Sequence, residues 1–274
     1  DGQHPLADRM PNLDICALDL EHVDLDQPLM CRRPALEAPC MALYTSGTTG
    51  QPKGVLLSQA NLAHFTAWYA DYVQLTEHSC ALQFSSLSFD SSLIDIFPTL
   101  LQGARLVVPS DDQRRDPLQL VELIRHQQLS HGFLPPALLS ILPLEQLQCL
   151  AHVMTGGDVC EPWVIEQLTR QGNLYNLYGP TEATVLITAR RLRAGDSNRS
   201  LGAPIANSQV LILDEDLQPV AEQTVGELYI VGPGVCLGYL NNTQQTAERY
   251  LQLDLPGGQT LRAYRTGDMA KWTD

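Results

Sequence analysis

Between Cys80 and Leu177, short apolar runs alternate with helical stretches, and this alternation limits the available folds more than any other feature. Cys80–Phe84, Arg105–Val108, Gly132–Leu134, Leu150–Met154 and Leu174–Leu177 read as strands. Leu93–Leu101 reads as a helix closed by Gly103, Ala137–Ile141 as a short helix, and two more helices begin at Asp116-Pro117 and Glu161-Pro162. These last two run to Gln127 and Gly172, and proline at a first helical position is a common start. Strands separated by helices imply an α/β fold: a mostly parallel sheet with helices on both faces. Such sheets take ligands at the carboxyl ends of their strands. Polar or glycine-rich loops follow the expected strand ends at Tyr44, Phe84, Met154 and Leu177, and the chemistry is expected there.

The rest of the chain divides around this region. Residues 1–39 are rich in Pro and Asp and read as an extended lead-in with a strand near Asp14–Leu18. An α/β subdomain is expected over 40–190. It begins with short strands at Met41–Tyr44 and Val55–Leu57, then a helix capped by Ser58 with Leu62, Phe65, Tyr69 and Tyr72 on one face. Residues 191–274 read as β-rich, a smaller barrel or sheet beside the first, with strands at Gln209–Leu213, Glu227–Val231 and Leu261–Arg265. The opening Asp1-Gly2-Gln3-His4 has neither an initiator Met nor signal-peptide character, so the chain reads as a piece of a longer protein.

The 31 acidic and 17 basic residues give a formal charge of −14. No basic field exists to attract nucleic acid or an anionic membrane, and no apolar run approaches a membrane span. An anionic ligand would have to be held by backbone N–H groups, a few cations and a metal ion. Seven cysteines, odd in number and widely spaced, read as reduced buried thiols of a cytoplasmic protein. The histidines show no metal-ligand spacing, and His126 and His131 read as surface or strand-edge residues.

Thr45-Ser46-Gly47-Thr48-Thr49-Gly50-Gln51-Pro52-Lys53-Gly54 carries the strongest chemical signal. Small residues expose backbone N–H groups, four hydroxyls add donors and Lys53 adds a positive charge, a set suited to a polyphosphate. It is not a Walker A loop, because Pro52 and Gly54 flank the lysine where that motif needs Gly and Ser/Thr. A flexible polar turn is the alternative reading of the same residues.

Tyr44–Gly54 resembles the phosphate loop of the adenylate-forming superfamily, which includes acyl-CoA synthetases, luciferases and the adenylation domains of nonribosomal peptide synthetases. Four further segments follow in the order of that family: Phe89-Asp90-Ser91-Ser92, Asn176 to Glu182, Gly226 to Leu240 and Tyr264-Arg265-Thr266-Gly267-Asp268. Each motif is short, but five in order are specific.

The resemblance implies roles for single residues. Lys53, Thr181 and Glu182 would be catalytic. Thr45, Ser46, Gly47, Thr48, Thr49, Gly50 and Lys53 would cradle phosphates. Tyr178 would offer a flat face to adenine, Asn176 an amide to its exocyclic amine, and Gly179 lies between them and Thr181. Thr181 would donate to the α-phosphate and Glu182 would hold Mg²⁺. A Gly-Pro turn with an incidental acid is the alternative for this segment. Gly157 and Asp158, after their strand, would cover the other face of adenine, and Asp268 would accept the ribose hydroxyls. Gly226 to Leu240 reads mostly as architecture.

Asp90 separates branches of the superfamily. A carboxylate among Phe89, Leu93, Ile94 and Phe97 is costly to bury unpaired, and a helix N-cap is its structural alternative. Phe-Asp-x-Ser resembles the peptide-synthetase pattern, in which this Asp pairs with the α-ammonium of an amino acid. Carried over position by position, the pocket walls would be Asp90, Ser91, Ile94, Phe133, Met154, Gly156, Leu177, Val185 and Leu186. Beyond Asp90 these carry no charge, so an apolar amino acid of small to medium size is expected.

The implied reaction is attack of the substrate carboxylate on the α-phosphate of ATP, giving aminoacyl-AMP and pyrophosphate. The aminoacyl group then passes to a phosphopantetheine thiol on a peptidyl carrier protein. Relative to the family, this sequence begins late and ends before the C-terminal lobe, so slow turnover is expected of the piece alone. An acyl- or aryl-CoA ligase and a non-catalytic binding module derived from such an enzyme are the competing readings.

Overall fold

Ser58 and Asn61 cap one another at the start of the first long helix. Ser58 Oγ accepts from the Asn61 N–H, and Asn61 Oδ1 accepts from the Ser58 N–H, satisfying two donors that a helix start leaves open. This is α1 (Gln59–Tyr72) of a computed structural model that describes residues 34–46, 52–255 and 258–273. The expected strand near Asp14–Leu18, Cys16 and Cys31, and Gly47, Thr48, Thr49 and Gly50 lie outside the described residues.

A seven-stranded sheet forms the centre of the fold. It is built from β3 (Cys80–Leu82), β4 (Arg105–Val107), β5 (His131–Phe133), β6 (His152–Gly156), β7 (Asn173–Tyr178), β8 (Thr188–Leu192) and β9 (Ala203–Pro204), in the order β4-β3-β5-β6-β7-β8-β9. Pairings from β4 to β7 are parallel, while β7–β8 and β8–β9 are antiparallel. Between these strands run α2 (Ser92–Leu101), α3 (Asp111–Arg115), α4 (Pro117–His126), α5 (Pro136–Leu139) and α6 (Pro162–Gln171).

Side chains alternate along the strands and sort into two cores. Met154, Tyr175 and Leu177 join Phe65, Tyr69, Leu93 and Ile94 of α1 and α2. Val153 and Leu174 join Leu120, Ile124, Val164 and Leu168 of α4 and α6. The period of two thus places helices on both faces, as the α/β pattern implies. Leu120, Ile124 and Val164 are fully buried, each contributing about 1.5–3 kcal/mol relative to exposure.

A second, antiparallel sheet holds β10 (Gln209–Leu213), β11 (Gly226–Val231), β14 (Gln259–Ala270) and β13 (Tyr250–Leu255), in that order. Before β13 lies α7 (Thr243–Arg249). Strand β14 runs well past the expected Leu261–Arg265 and carries Asp268, the residue that follows Gly267 at φ 87°.

Three expectations are corrected. The strand ending at the phosphate loop does not enter the parallel sheet: β1 (Pro39–Thr45) pairs antiparallel with β2 (Lys53–Ser58), and β12 (Gly238–Tyr239) adds to β2. The connection between β1 and β2 is too short for a crossover helix, so only a hairpin is possible. Next, β8 and β9 extend the first sheet past residue 190, so the boundary expected at 190/191 falls inside a strand. Finally, His126 is exposed but His131 is buried in central strand β5, not at an edge. Its ring stacks on His152 at 4.4 Å, Nε2 lies 3.0 Å from the Val73 carbonyl, and burial lowers its pKa to about 4. An imidazole kept neutral in this way packs as a flat polar ring.

Candidate active site

The carboxyl ends of the parallel strands open onto a cleft of about 2090 Å³. Asp90 and Ser91, before α2, line it together with Ile94, Phe133, Gly156, Leu177 and Val185. Gly157, Asp158, Asn176, Tyr178, Gly179 and Asp268 line it as well. Met154 and Leu186, also expected on the wall, are 3% and 1% exposed and belong to the core behind α1 and α2, off the cleft surface. Five cationic side chains (Arg114, Arg190, Arg191, Arg199, Lys271) and three carboxylates (Asp90, Asp158, Asp268) face the cleft, so its wall opposes the acidic balance of the whole chain.

Asp90 bonds to Thr181 directly. Thr181 Oγ1 donates to Asp90 Oδ2 at 2.5 Å. Burial raises the Asp90 pKa, the Thr181 hydroxyl and the Ser91 N–H lower it, and the Glu182 charge raises it further. Asp90 is thus half-buried beside this apolar run, with the Thr181 hydroxyl as partner of its carboxylate.

Next along the chain, Glu182 is buried and joins a compact polar cluster. Lys53 Nζ lies 3.3 Å from Glu182 Oε1, and Tyr239 Oη donates to that same oxygen at 2.7 Å. Lys53 also donates to Tyr239 Oη at 3.3 Å and sits 4.8 Å from the ring centroid. Lys53 stands at the first position of β2 and Tyr239 on the adjoining β12, so the hairpin geometry brings them together. Lys53 thus pairs with Glu182 while the adjacent Thr181 bonds Asp90, and none of the three lines the cleft itself.

Tyr178, at the end of β7, donates to Asp268 Oδ2, and burial followed by that carboxylate pushes the phenol pKa up. Asn176 Nδ2 donates to the Ser200 carbonyl at 2.9 Å. Of the phosphate loop, Ser46 is exposed and Thr45 half-buried. Gly156 is glycine for a packing reason: a Cβ there would meet the Leu177 carbonyl oxygen at 2.2 Å.

A divalent cation finds one candidate carboxylate, Glu182. Among the described residues no three His, Cys, Asp or Glu side chains converge as a metal site. Glu182 Oε1 already accepts from an ammonium and a phenol. As folded here the carboxylate does not fit a resident ion.

Sequence reasoning missed three participants. Tyr239 lay in the Gly226–Leu240 segment read as architecture, and its contact with Lys53, 186 positions away, had no local signal. Asp95 was the second acid in the apolar run after Asp90; it is 3% exposed, accepts from the Ser85 N–H, and burial raises its pKa to about 7. Arg190 and its neighbours in the loop at residues 193–202 carried no motif. Among the described residues Cys40, Cys80, Cys149, Cys160 and Cys236 do not pair with one another, and burial pushes Cys160 and Cys236 up to about 11 and about 12. Among the described residues no helix is long and apolar enough to cross a membrane.

Comparison with known proteins agrees with this geometry. The AMP-binding enzyme family matches residues 7–240. Bacitracin synthase 3 of Bacillus licheniformis is 36% identical over 230 residues, 84% of this chain and 4% of that protein. Tyrocidine synthase 2 of Brevibacillus parabrevis is 34% identical over 262 residues, 92% of this chain and 7% of that protein. The chain therefore spans only a small part of the length of these relatives. Among solved structures, the N-terminal subdomain of Klebsiella oxytoca NpsA in complex with 3-hydroxybenzoyl-AMSN superposes with a TM-score of 0.76 at 28% identity. That match covers 86% of this chain and 62% of that one. An artificially fused adenylation–PCP di-domain from the same organism, NpsA-ThdA, gives 0.79 at 28% identity, over 91% of this chain and 52% of that one. With five motifs in order, the shared sheet and these matches, the chain belongs to the AMP-binding enzyme family of adenylate-forming ligases, as part of the N-terminal core of a peptide-synthetase adenylation domain.

Proposed function

We propose that this chain selects an apolar amino acid of small to medium size and activates it with ATP as aminoacyl-AMP, for loading onto the phosphopantetheine thiol of a peptidyl carrier protein. One observation carries the reading: Asp90, a half-buried carboxylate whose pKa burial raises, lines the same cleft as the apolar side chains Ile94, Phe133, Leu177 and Val185. An α-ammonium is the natural partner of a buried carboxylate. The side chain beyond it would meet hydrocarbon, and a charged one would go unpaired.

In the proposed reaction a carboxylate oxygen of the amino acid attacks the α-phosphorus and the bond to pyrophosphate breaks. The attacking group is already ionised at neutral pH, so no general base is required. Rate enhancement would come from in-line positioning and from opposing the developing charge. In this proposal Asp90 holds the ammonium, Tyr178 and Gly157-Asp158 flank the base, and Asp268 takes the ribose hydroxyls. Lys53 moves from Glu182 onto the phosphates, and any Mg²⁺ arrives with the triphosphate.

An aryl acid is the second reading, favoured by the aryl ligand in the NpsA complex. An aryl acid has no ammonium, and Asp90 would then be an unpaired charge facing it. Pyrophosphate exchange on the intact protein, with a panel of amino and aryl acids, separates the two. An apolar amino acid is expected to rank first; an acidic, basic or aryl acid in first place overturns the proposal.

A further inference from the structure

Asn176 and Arg190 stand directly opposite one another on β7 and β8, so their side chains share one face of the sheet. The loop at residues 193–202 folds back over both. Arg190 Nη2 binds Asp196 Oδ1 at 2.9 Å and Nη1 donates to Ser200 Oγ at 2.7 Å. The Asp196 carboxylate also accepts from the Arg193 N–H at 2.8 Å. Asn198 Nδ2 donates to the Cys160 carbonyl at 3.1 Å, tying the loop to the segment that follows Gly157-Asp158. The return into β9 passes through Gly202 at φ 83°, where a Cβ would meet the Ala189 carbonyl oxygen at 2.2 Å, so only glycine closes the loop this tightly.

This clamp has a consequence for Asn176. Its Nδ2 donates to the Ser200 carbonyl. A carbonyl can only accept, so the amide cannot be flipped without setting two oxygens against each other. The Oδ1 oxygen is left as the group Asn176 presents to the cleft it lines. Arg190, by gripping Ser200 and Asp196, fixes the loop that supplies that carbonyl.

We infer that Arg190, Asp196 and Ser200 form a positioning clamp that locks the Asn176 amide with its oxygen toward the nucleotide, so that the site accepts a purine bearing a 6-amino donor and rejects one bearing a 6-oxo acceptor. The inference rests on the ATP-dependent reading above and deepens it. A purine 6-amine donates to Oδ1, whereas a 6-oxo group brings two acceptors face to face, and a buried acceptor left without a donor is penalised. In this inference Arg190 is a positioning residue that acts through Ser200 and Asp196.

The test compares ATP with inosine triphosphate in amino-acid-dependent pyrophosphate exchange, on the intact protein and on three variants: Ser200→Ala, Arg190→Met and Arg190→Lys. Ser200→Ala keeps the backbone carbonyl and removes only the hydroxyl that Arg190 grips, so it tests the clamp even if Arg190→Met folds poorly. The unaltered protein is expected to favour ATP by about a hundredfold or more. Ser200→Ala should reduce that preference several-fold and Arg190→Met about tenfold, chiefly through a higher KM for ATP, with kcat changing less and Arg190→Lys partly restoring it. An ATP-to-inosine ratio unchanged in both Ser200→Ala and Arg190→Met overturns the clamp while leaving the adenylation reading intact. No preference for ATP in the unaltered protein overturns it equally. Absence of exchange with either nucleotide removes the reading beneath it as well.

Discussion

Thr181 Oγ1 donates its hydrogen to Asp90 Oδ2 at 2.5 Å, so the hydroxyl proposed to reach the α-phosphate is engaged by the carboxylate proposed to hold the substrate ammonium. A hydroxyl has one hydrogen to give. An arriving ammonium can replace Thr181 on Asp90 and release that hydrogen toward ATP.

Amino acid and ATP should therefore bind cooperatively. An apolar substrate is expected to tighten ATP binding by about tenfold, within the usual range of coupling between sites, and Thr181→Val should abolish the effect. Calorimetric titration of ATP with and without amino acid reads it directly; equal coupling in Thr181→Val sinks the exchange of partners. Asp90→Ala should cost amino-acid-dependent exchange two orders of magnitude or more. Because burial raises the Asp90 pKa, its charge disappears as pH falls through a value above that of a free aspartate, and KM for the amino acid should rise there.

The buried pair of Lys53 and Glu182 makes an asymmetric prediction. Their side chains are 14% and 6% exposed. Removing one charge strands the other, at a cost of about 3 kcal/mol. Lys53→Met should lower stability by that order, and the double variant Lys53→Met/Glu182→Gln should recover much of it without recovering exchange. Urea denaturation of Lys53→Met, Glu182→Gln and the double variant checks this; additive losses would show that the two charges do not support each other.

Asp95 should make the fold less stable as the solution becomes more alkaline. Its pKa rises from 3.8 to about 7 on folding, so between those values the folded chain holds a proton that the unfolded chain has released. Stability then falls with rising pH across that interval and levels off above it. Asp95→Asn cannot ionise and should show an advantage growing by about 4 kcal/mol from pH 4 to pH 8. Thermal melts of both proteins across that range suffice, and a constant difference would mean that Asp95 is charged in the fold throughout.

Gly156→Ala should be destabilising by about 2 kcal/mol or more, since its Cβ would sit 2.2 Å from a backbone oxygen of the neighbouring strand. The strands must part or the cleft floor must shift. A melting temperature within a degree of the unaltered protein would show that the spacing between β6 and β7 yields freely.

Much of this was legible because it is local. The Asp116 cap of α4 and the proline that begins α6 lie within a few residues of what they specify, and both helices form where the spacing places them. The strand-loop pattern likewise placed Asn176 and Tyr178 on β7 and Asp90 in the loop before α2, all lining one cleft. What was not legible is pairing at long range. Nothing in the residues flanking Lys53 says that β1 turns back on itself and leaves the parallel sheet, or that a tyrosine 186 positions away will touch it. His131 was misplaced for the same reason: its burial depends on His152 and the Val73 carbonyl, neither of them close to it in sequence.

The docking of β12 on β2 also dictates an order of events during synthesis. Leu56 and Gly54 accept from Leu237 and Leu240, so one edge of the lysine-bearing strand stays open until residue 240 has emerged from the ribosome. Contacts that span so much chain close slowly. An unpaired strand edge meanwhile invites pairing with other chains, and the nascent polypeptide is most vulnerable to aggregation just before β12 docks on its phosphate-loop hairpin.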